Sequence, residues 1–291
     1  MTQVETFSEY RPLLFAIAYR MLGSVADAED AVQETYLRWQ ANDDEVRSPK
    51  SYLSTIVTRL CIDELKSARA QREQYAGPWL PEPIVTEETP TMDDTAALAD
   101  SLSMAFLVVL ETLTPVERAV FLLREVFDYD YAEIASMVDR GEANCRQIAR
   151  RSRDHVKERH RRFEVESAEV DRITRRFVQA ATEGDMDALL DLLAEDAVLW
   201  SDGGGKVAAA LNPIEGADRI ARFFVGLIRK APPGLRTRFM TVNGQPGLVN
   251  YIDGHAHSVA VAEIDGGRLR AIRIVSNPDK LRRLPPLPAS A

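Results

Sequence analysis

Apolar residues recur at intervals of three and four through the first half of the chain and at intervals of two in its last third, so periodicity alone divides the protein. Leu13, Leu14, Ile17, Ala18, Met21 and Leu22 share one helical face, with Pro12 near the start and Gly23 at the end. Ser24 is placed to cap a second helix, which carries Val25, Ala28, Val32, Tyr36 and Trp39 on one side. A third helix opens at Ser48-Pro49 and buries Leu53, Ile56, Val57, Leu60 and Leu65. Beyond residue 168, segments 170–182, 186–193 and 214–228 read as amphipathic helices, and 197–200, 236–242, 247–252, 258–264 and 269–275 as strands separated by glycine-rich turns. Helices followed by an antiparallel sheet predict an α+β cone with a hollow between its layers.

Between these parts lies a helix-turn-helix pattern. Thr114, Pro115 and Glu117 form a capping-box sequence, and Asp130 with Glu133 repeats it. The second helix carries Ala132, Ile134, Ala135 and Val138 and meets Asp139-Arg140-Gly141, where Gly141 is expected to take the positive φ of a tight turn. In the third, Cys145, Ile148, Ala149 and Ser152 recur at helical spacing, which turns Asn144, Arg146, Gln147, Arg150 and Arg151 outward. Asn, Gln and Arg can each make two hydrogen bonds to a base edge, while Arg153, Lys157, Arg159, Arg161 and Arg162 suit phosphates.

Charge sharpens this picture. The 291-residue chain carries a net charge of -9, yet residues 140–162 hold nine Lys or Arg against three acids. Basic C-terminal turns also complement helix dipoles; the capping sequences and packed-face spacing favour DNA. The second helix is the opposite, crowding Asp27, Glu29, Asp30, Gln33 and Glu34 onto a polar face open to a partner. The third gathers Arg59, Lys66, Arg69 and Arg72, with too few interleaved aromatics for a single-strand stacking platform. Residues 76–105 contain no Lys or Arg, six acids and four prolines, a composition that predicts an extended linker. Cys61 and Cys145 fall within helical patterns and read as reduced thiols, and the four His have no metal-ligand spacing, so neither metal nor cofactor is expected. No apolar run spans a membrane and residues 1–7 do not read as a signal peptide, which points to the cytoplasm.

The order of these parts resembles the extracytoplasmic-function sigma factors. Residues 14–39, including Ala26-Asp27-Ala28-Glu29-Asp30-Ala31-Val32-Gln33-Glu34-Thr35, are similar to the family's region 2; 51–72 to the part of it that captures the promoter -10 element; and 110–153 to region 4, which binds the -35 element. The resemblance implies that core RNA polymerase and promoter DNA are the partners. It implies that Asp30, Gln33, Glu34 and Leu37 face the polymerase clamp, that Thr58, Arg59, Asp63, Lys66 and Arg69 lie at the -10 element, and that Asn144, Arg146, Gln147, Arg150, Arg151, Arg153 and Lys157 meet the -35 element. It also implies that the acidic linker runs near the polymerase RNA channel. Residues 58–63 read Thr-Arg-Leu-Cys-Ile-Asp, where many members place an Asn before the Asp.

The remainder is similar to the SnoaL-like branch of the nuclear-transport-factor-like fold. Asp202-Gly203-Gly204-Gly205-Lys206, Asn277-Pro278-Asp279-Lys280-Leu281 and Gly77-Pro78-Trp79-Leu80-Pro81 resemble motifs of sigma-factor subfamilies that carry such an extension. The expected multi-domain chain is therefore a helical region 2 over 1–75, a linker over 76–105, a helix-turn-helix region 4 over 106–163, a SnoaL-like α+β domain over 168–282 and a Pro-rich tail over 283–291. The extension is expected to act as an intramolecular regulator, with the two motifs 202–206 and 277–281 contacting the sigma regions. The fold also hosts isomerases and cyclases. Asp202 beside Trp200 is the candidate base of an enzymatic pocket, with Asn250, Tyr251 and His257 as polar partners, and such a hollow leaves room for a small ligand. An Asp before three glycines is more often a turn former, and no nucleophile or metal constellation accompanies it, so recognition rather than catalysis is expected. A one-component helix-turn-helix regulator with a ligand domain is the alternative, although it has no use for an acidic polymerase-facing helix.

Overall fold

The computed structural model describes residues 2–42, 44, 46–72, 75–86, 101–159 and 167–287, without the side chains of 68–72. The chain forms two compact units, residues 1–74 with 106–161, and residues 75–105 with 162–291. The described parts of the expected extended linker, 76–86 and 101–105, group with the second unit.

In the first unit α1 (Gln3–Leu22), α2 (Val25–Gln40) and α3 (Pro49–Arg72) pack on one another. Leu14, Ile17, Met21, Ala28, Leu53 and Val57 make the core. The first helix starts earlier than its proline suggested. Thr2 and Glu5 complete a capping box in which each side chain accepts from the other's backbone amide, and Pro12 lies inside the helix. Gly23 ends α1 at φ 67°, and the Ser24 hydroxyl accepts from the Asp27 amide to start α2.

The second part of that unit contains α4 (Met104–Leu110, from residue 106 on), α5 (Pro115–Glu125), α6 (Tyr131–Val138) and α7 (Glu142–Arg159). Both expected capping boxes are formed, at Thr114/Glu117 and Asp130/Glu133. The α6–α7 turn corrects one expectation: Asp139, at φ 54°, takes the left-handed conformation. Gly141 is not among the positive-φ residues, because Asp tolerates that region well enough to end the helix one position after Val138.

The two sets of helices lie in one compact unit. α3 packs on α6 and α1 on α5. Arg118 of α5, 3% exposed, donates to the Met21 carbonyl at 2.5 Å and pairs with Glu111 at 2.7 Å, which compensates the cost of burying its charge. Ser54 and Tyr129 share a buried hydrogen bond of 2.7 Å.

The second unit packs α8 (Ser167–Glu183), α9 (Met186–Leu192) and α10 (Ala217–Arg229) against one sheet. Its strands are β1 (Val85–Thr86), β2 (Leu193–Asp202), β3 (Ile214–Glu215), β4 (Arg236–Val242), β5 (Gln245–Ile252), β6 (His255–Asp265) and β7 (Arg268–Val275), in the order β1-β4-β5-β6-β7-β2-β3. Asn243-Gly244, Asp253-Gly254 and Gly266-Gly267 all have positive φ, as tight hairpin turns require, and so fix the β4-β5-β6-β7 meander. The sheet is not wholly antiparallel as expected, since β2 runs parallel to β7 with Asp202 opposite Val275. The expected helix over 214–228 is likewise divided, its first two residues pairing with β2 before Gly216 turns the chain at φ 92°. Phe177, Leu189, Leu199, Ile220, Leu269 and Ile272 join the core between helices and sheet. A short helix α11 (Pro278–Leu281), capped by Asn277, follows β7.

Candidate functional site

Three faces of the helical unit carry the residues expected to meet polymerase and promoter. On α2, Ala28, Ala31, Val32, Thr35 and Trp39 are buried, which leaves Asp30 and Gln33 exposed and Glu34 partly so, paired with Arg38 at 2.9 Å. Leu37 on the same face is 52% exposed.

On α3 the expected -10 residues divide. Thr58 is fully buried and its hydroxyl has no partner among the described residues, so it is withdrawn from any DNA-reading set. Asp63 and Lys66 are exposed and pair at 2.9 Å. Arg59 is exposed yet bonds to α6, donating from Nε to the Met137 carbonyl at 3.0 Å and from Nη2 to the Ser136 carbonyl at 2.8 Å. It neutralises carbonyls at the C-terminal end of that helix, where a cation is favoured. The Arg69 side chain lies outside the described residues.

On α7 the spacing argument holds residue by residue. Cys145, Ile148, Ala149 and Ser152 are buried, and Asn144, Arg146, Gln147, Arg150, Arg151, Arg153 and Lys157 are exposed. Arg146 pairs with Glu142 and lies over the Tyr131 ring, and Arg153 makes a two-pronged pair with Glu125 at 3.0 and 2.7 Å. Arg161 and Arg162 are outside the described residues. Burial raises the thiol pKa of Cys145, and raises that of Cys61 in α3 as well, so both behave as packed apolar groups.

In the second unit every motif singled out in the sequence converges on one carboxylate. Asp202, at the end of β2, is fully buried. One oxygen accepts from the Tyr75 hydroxyl at 2.6 Å and the Gly204 amide at 3.0 Å; the other accepts from the Leu80 amide at 2.9 Å and from Lys280 Nζ at 2.7 Å. Lys280 also donates to the Leu80 carbonyl and lies over the rings of Trp79 at 4.2 Å and Tyr75 at 5.2 Å. Asn277 donates to the Tyr75 hydroxyl at 2.8 Å, and Lys206 pairs with Asp279. Burial first, then the Asp202 acceptor, pushes the Tyr75 phenol pKa upward, so it stays a donor.

The three glycines follow from this geometry. A Cβ on Gly203 would stand 2.7 Å from both the Ala209 Cβ and the Val207 carbonyl. On Gly204, at φ 61°, it would meet the Asn277 amide group at 2.4 Å. Gly205, at φ 68°, abuts Ala76.

The clasped segment is residues 75–86. Leu80 and Glu82 are buried, and β1 adds an edge strand through Val85↔Val242 and Thr86↔Thr241. Asn243 completes the hold, accepting from the Ile84 amide at 3.1 Å and donating to the Leu102 carbonyl at 3.0 Å. Sequence reasoning missed Asn243; its signal was the Asn-Gly hairpin pair, which fixes the turn but not the side chain's second task. The motifs at 202–206 and 277–281 therefore grip residues 75–86 of their own unit, whereas contact with the sigma regions was expected.

A cavity of about 760 Å³ lies between the helices and the sheet of the same unit. Of the expected pocket residues Asn250 and His257 line it; Trp200 and Tyr251 do not. Trp200 lies beneath Arg273, and the Tyr251 hydroxyl points to Met240 Sδ at 3.6 Å. Asp202 is absent from the lining and fully occupied by donors, which removes the candidate base of an enzymatic pocket. Among the described residues no group of three His, Cys, Asp or Glu is arranged for a metal, and no helix is long and apolar enough to cross a membrane.

Known proteins share this arrangement. Family models for Sigma-70 region 2, Sigma-70 region 4 and a SnoaL-like domain match residues 6–71, 103–156 and 174–275. The ECF RNA polymerase sigma factor SigJ of Mycobacterium tuberculosis is 35% identical over 295 residues, spanning 97% of this chain and 94% of that protein. The probable ECF RNA polymerase sigma factor SigI of the same species is 31% identical over 276 residues, spanning 94% and 92%. The crystal structure of Mycobacterium tuberculosis SigJ aligns with a TM-score of 0.75 at 34% identity, covering 94% of this chain and 98% of that one.

Proposed function

We propose a division of labour for this chain, which belongs to the extracytoplasmic-function RNA polymerase sigma factors: its helical unit engages core RNA polymerase and promoter DNA, and its SnoaL-like domain sets when it does so. On this reading Asp30, Gln33, Glu34 and Leu37 of α2 meet the polymerase clamp. Asp63, Lys66 and Arg69 with Arg59 of α3 meet the -10 element, Arg59 only after leaving α6. Asn144, Arg146, Gln147 and Arg150 read the -35 element, and Arg151, Arg153 and Lys157 hold phosphates.

The single observation that carries the regulatory half is the hold of Asp202 on residues 75–80, through the Tyr75 hydroxyl and the Leu80 amide. That segment joins the two DNA-facing regions in the chain. A segment held at Tyr75, Leu80 and Ile84 must be released before it follows a path through the polymerase. The C-terminal domain therefore acts through the joining segment, by recognition and without turnover of a substrate.

Run-off transcription with purified bacterial core polymerase tests both halves. The full chain is compared with Gly204→Ala, with Asp202→Asn and with a chain ending near Val165. Specific transcripts are expected from the full chain, with altered yield when the hold is broken. Absence of transcripts despite DNA binding would replace the sigma reading by that of a one-component regulator. Equal yields from all four forms would remove the regulatory role.

A further inference from the structure

The cavity of the SnoaL-like domain is not used by the clasp. At about 760 Å³ it lies within the size range of small-molecule sites, and Phe177, Phe223, Leu248, Leu269 and Ile272 give it an apolar wall. Its polar groups are few and aligned. Thr237, Asn250 and Ser258 occupy paired positions on β4, β5 and β6. Thr237 Oγ1 donates to Asn250 Oδ1 at 2.6 Å, and Asn250 Nδ2 donates to Ser258 Oγ at 2.9 Å. These bonds run one way along the row. The row still offers two donors, the Ser258 hydroxyl hydrogen and the second amide hydrogen of Asn250, beside the remaining lone pairs of its oxygens.

A bulge extends the row. Asn250 pairs with Ser258 and Tyr251 with Ala256, so His257 is an extra residue in β6, and it lines the cavity together with its neighbour Ser258. No Asp or Glu is among the described lining residues, whereas Arg222 and Lys230 are. A cationic ligand would find no counter-charge there.

The wall also continues into the clasp. Val207 to Ala210 line the cavity immediately after Lys206, and Ser201 and Ser276, also in the lining, precede Asp202 and Asn277. The space beside Gly203 is already filled by Ala209 and the Val207 carbonyl. A shift of 207–210 therefore has no slack to absorb it before the turn at 203–205.

We propose that this cavity binds a neutral or anionic amphiphile, its hydrocarbon body on the apolar wall and a carbonyl or carboxylate oxygen on Asn250 and Ser258, and that occupancy acts through residues 207–210 on the Asp202 clasp. The second half rests on the reading that the clasp regulates the helical unit.

The test uses the full chain with N-phenyl-1-naphthylamine as a fluorescent reporter, displaced by decanoate, 2-decanone or decylamine. Decanoate and 2-decanone should displace it at concentrations about tenfold below decylamine, as one or two hydrogen bonds to the head group imply. Asn250→Leu with Ser258→Ala should erase that preference while the reporter still binds, and Leu248→Trp should block the reporter. The clasp is read in the same samples by fluorine NMR of 5-fluorotryptophan, since one of the three Trp, Trp79, lies on Lys280 and another, Trp39, lies in the helical unit as a control. Decanoate should move the Trp79 resonance and leave Trp39 in place. No displacement, or equal displacement by decylamine, would overturn the ligand class. Displacement with an unmoved Trp79 resonance would overturn the coupling. Should both effects appear while transcription is indifferent to the C-terminal domain, the site stands and the regulatory reading falls.

Discussion

The Tyr75 hydroxyl donates to the Asp202 carboxylate at 2.6 Å, across 127 positions of sequence. Their meeting converts a proline-rich acidic stretch into a fixed part of the C-terminal domain. Lys280 closes the arrangement from a third position in the chain, with its side chain 12% exposed against a fully buried Asp202. A pair this deep is stabilising only while both members and their hydrogen bonds are present.

Replacing Asp202 by Asn keeps the shape but removes the charge that faces Lys280, and turns one of its two acceptor atoms into a donor. Stability of the second unit should fall by about 3–5 kcal/mol, the usual cost of stranding one buried charge. Adding Lys280→Met should return part of that loss, because neighbouring changes in one network are not additive. Urea unfolding of the native chain and the two variants measures this; a loss below about 1 kcal/mol in the single variant would mean that the pair is not buried in solution.

Tyr75 gives the clasp a pH edge. Its folded pKa is raised above the ordinary value of 10.0, by burial and then by its Asp202 acceptor. A group raised in this way contributes stability that is fully present below the unfolded pKa. That contribution is lost as the pH climbs from about 10 through the raised folded value. The urea midpoint of the second unit should therefore drop more steeply above pH 10 in the native chain than in Tyr75→Phe. Parallel curves would show that the hydroxyl is not held.

The closed helical unit has its own hinge points. Tyr129→Phe leaves Ser54 buried without its 2.7 Å partner and should cost about 1–3 kcal/mol. Arg59→Ala uncovers the carbonyls of Ser136 and Met137. Both changes should speed hydrogen exchange of the α6 amides, read by mass spectrometry of the full chain. Unchanged exchange would show that α3 does not restrain α6.

Two substitutions on α7 separate reading from holding. Asn144→Ala should cost about 1–3 kcal/mol on the preferred -35 sequence and relax preference at one position. Lys157→Ala should weaken binding on all sequences alike and lower the salt slope by about one. Fluorescence anisotropy across a salt series distinguishes them. Equal losses on every sequence for Asn144→Ala would remove it from the base-reading set.

The α7 face was legible because helical spacing is a local property: four small or apolar residues at 145, 148, 149 and 152 leave the basic and amide side chains one way to point. Capping boxes were legible for the same reason. The Gly141 expectation failed because two residue types tolerate left-handed backbone and the nearer, Asp139, took it. Residues 75–86 defeated composition. Prolines and acids read as a spacer, although Leu80 and Glu82 are buried, since what holds them are groups more than a hundred positions away. His257 was named for the pocket, but the bulge was not legible: alternation along β6 has no sign of the extra residue that sets it beside Ser258 on the cavity wall.

The parallel pairing of β2 with β7 sets a common measure for both halves of the clasp. Asp202 and Val275 finish level, and the residues that follow each strand bond back across that line: the amides of Ser276 and Asn277 reach the Asp202 carbonyl at 2.8 and 2.9 Å. The loop at 230–235 lies off this line, so its length can drift without changing the distance between the motifs. One residue inserted within either strand would offset the motifs by about 3.3 Å and turn alternate side chains to the wrong face. The strands are thus the gauge of the clasp, and descendants of this chain can vary around them far more readily than within them.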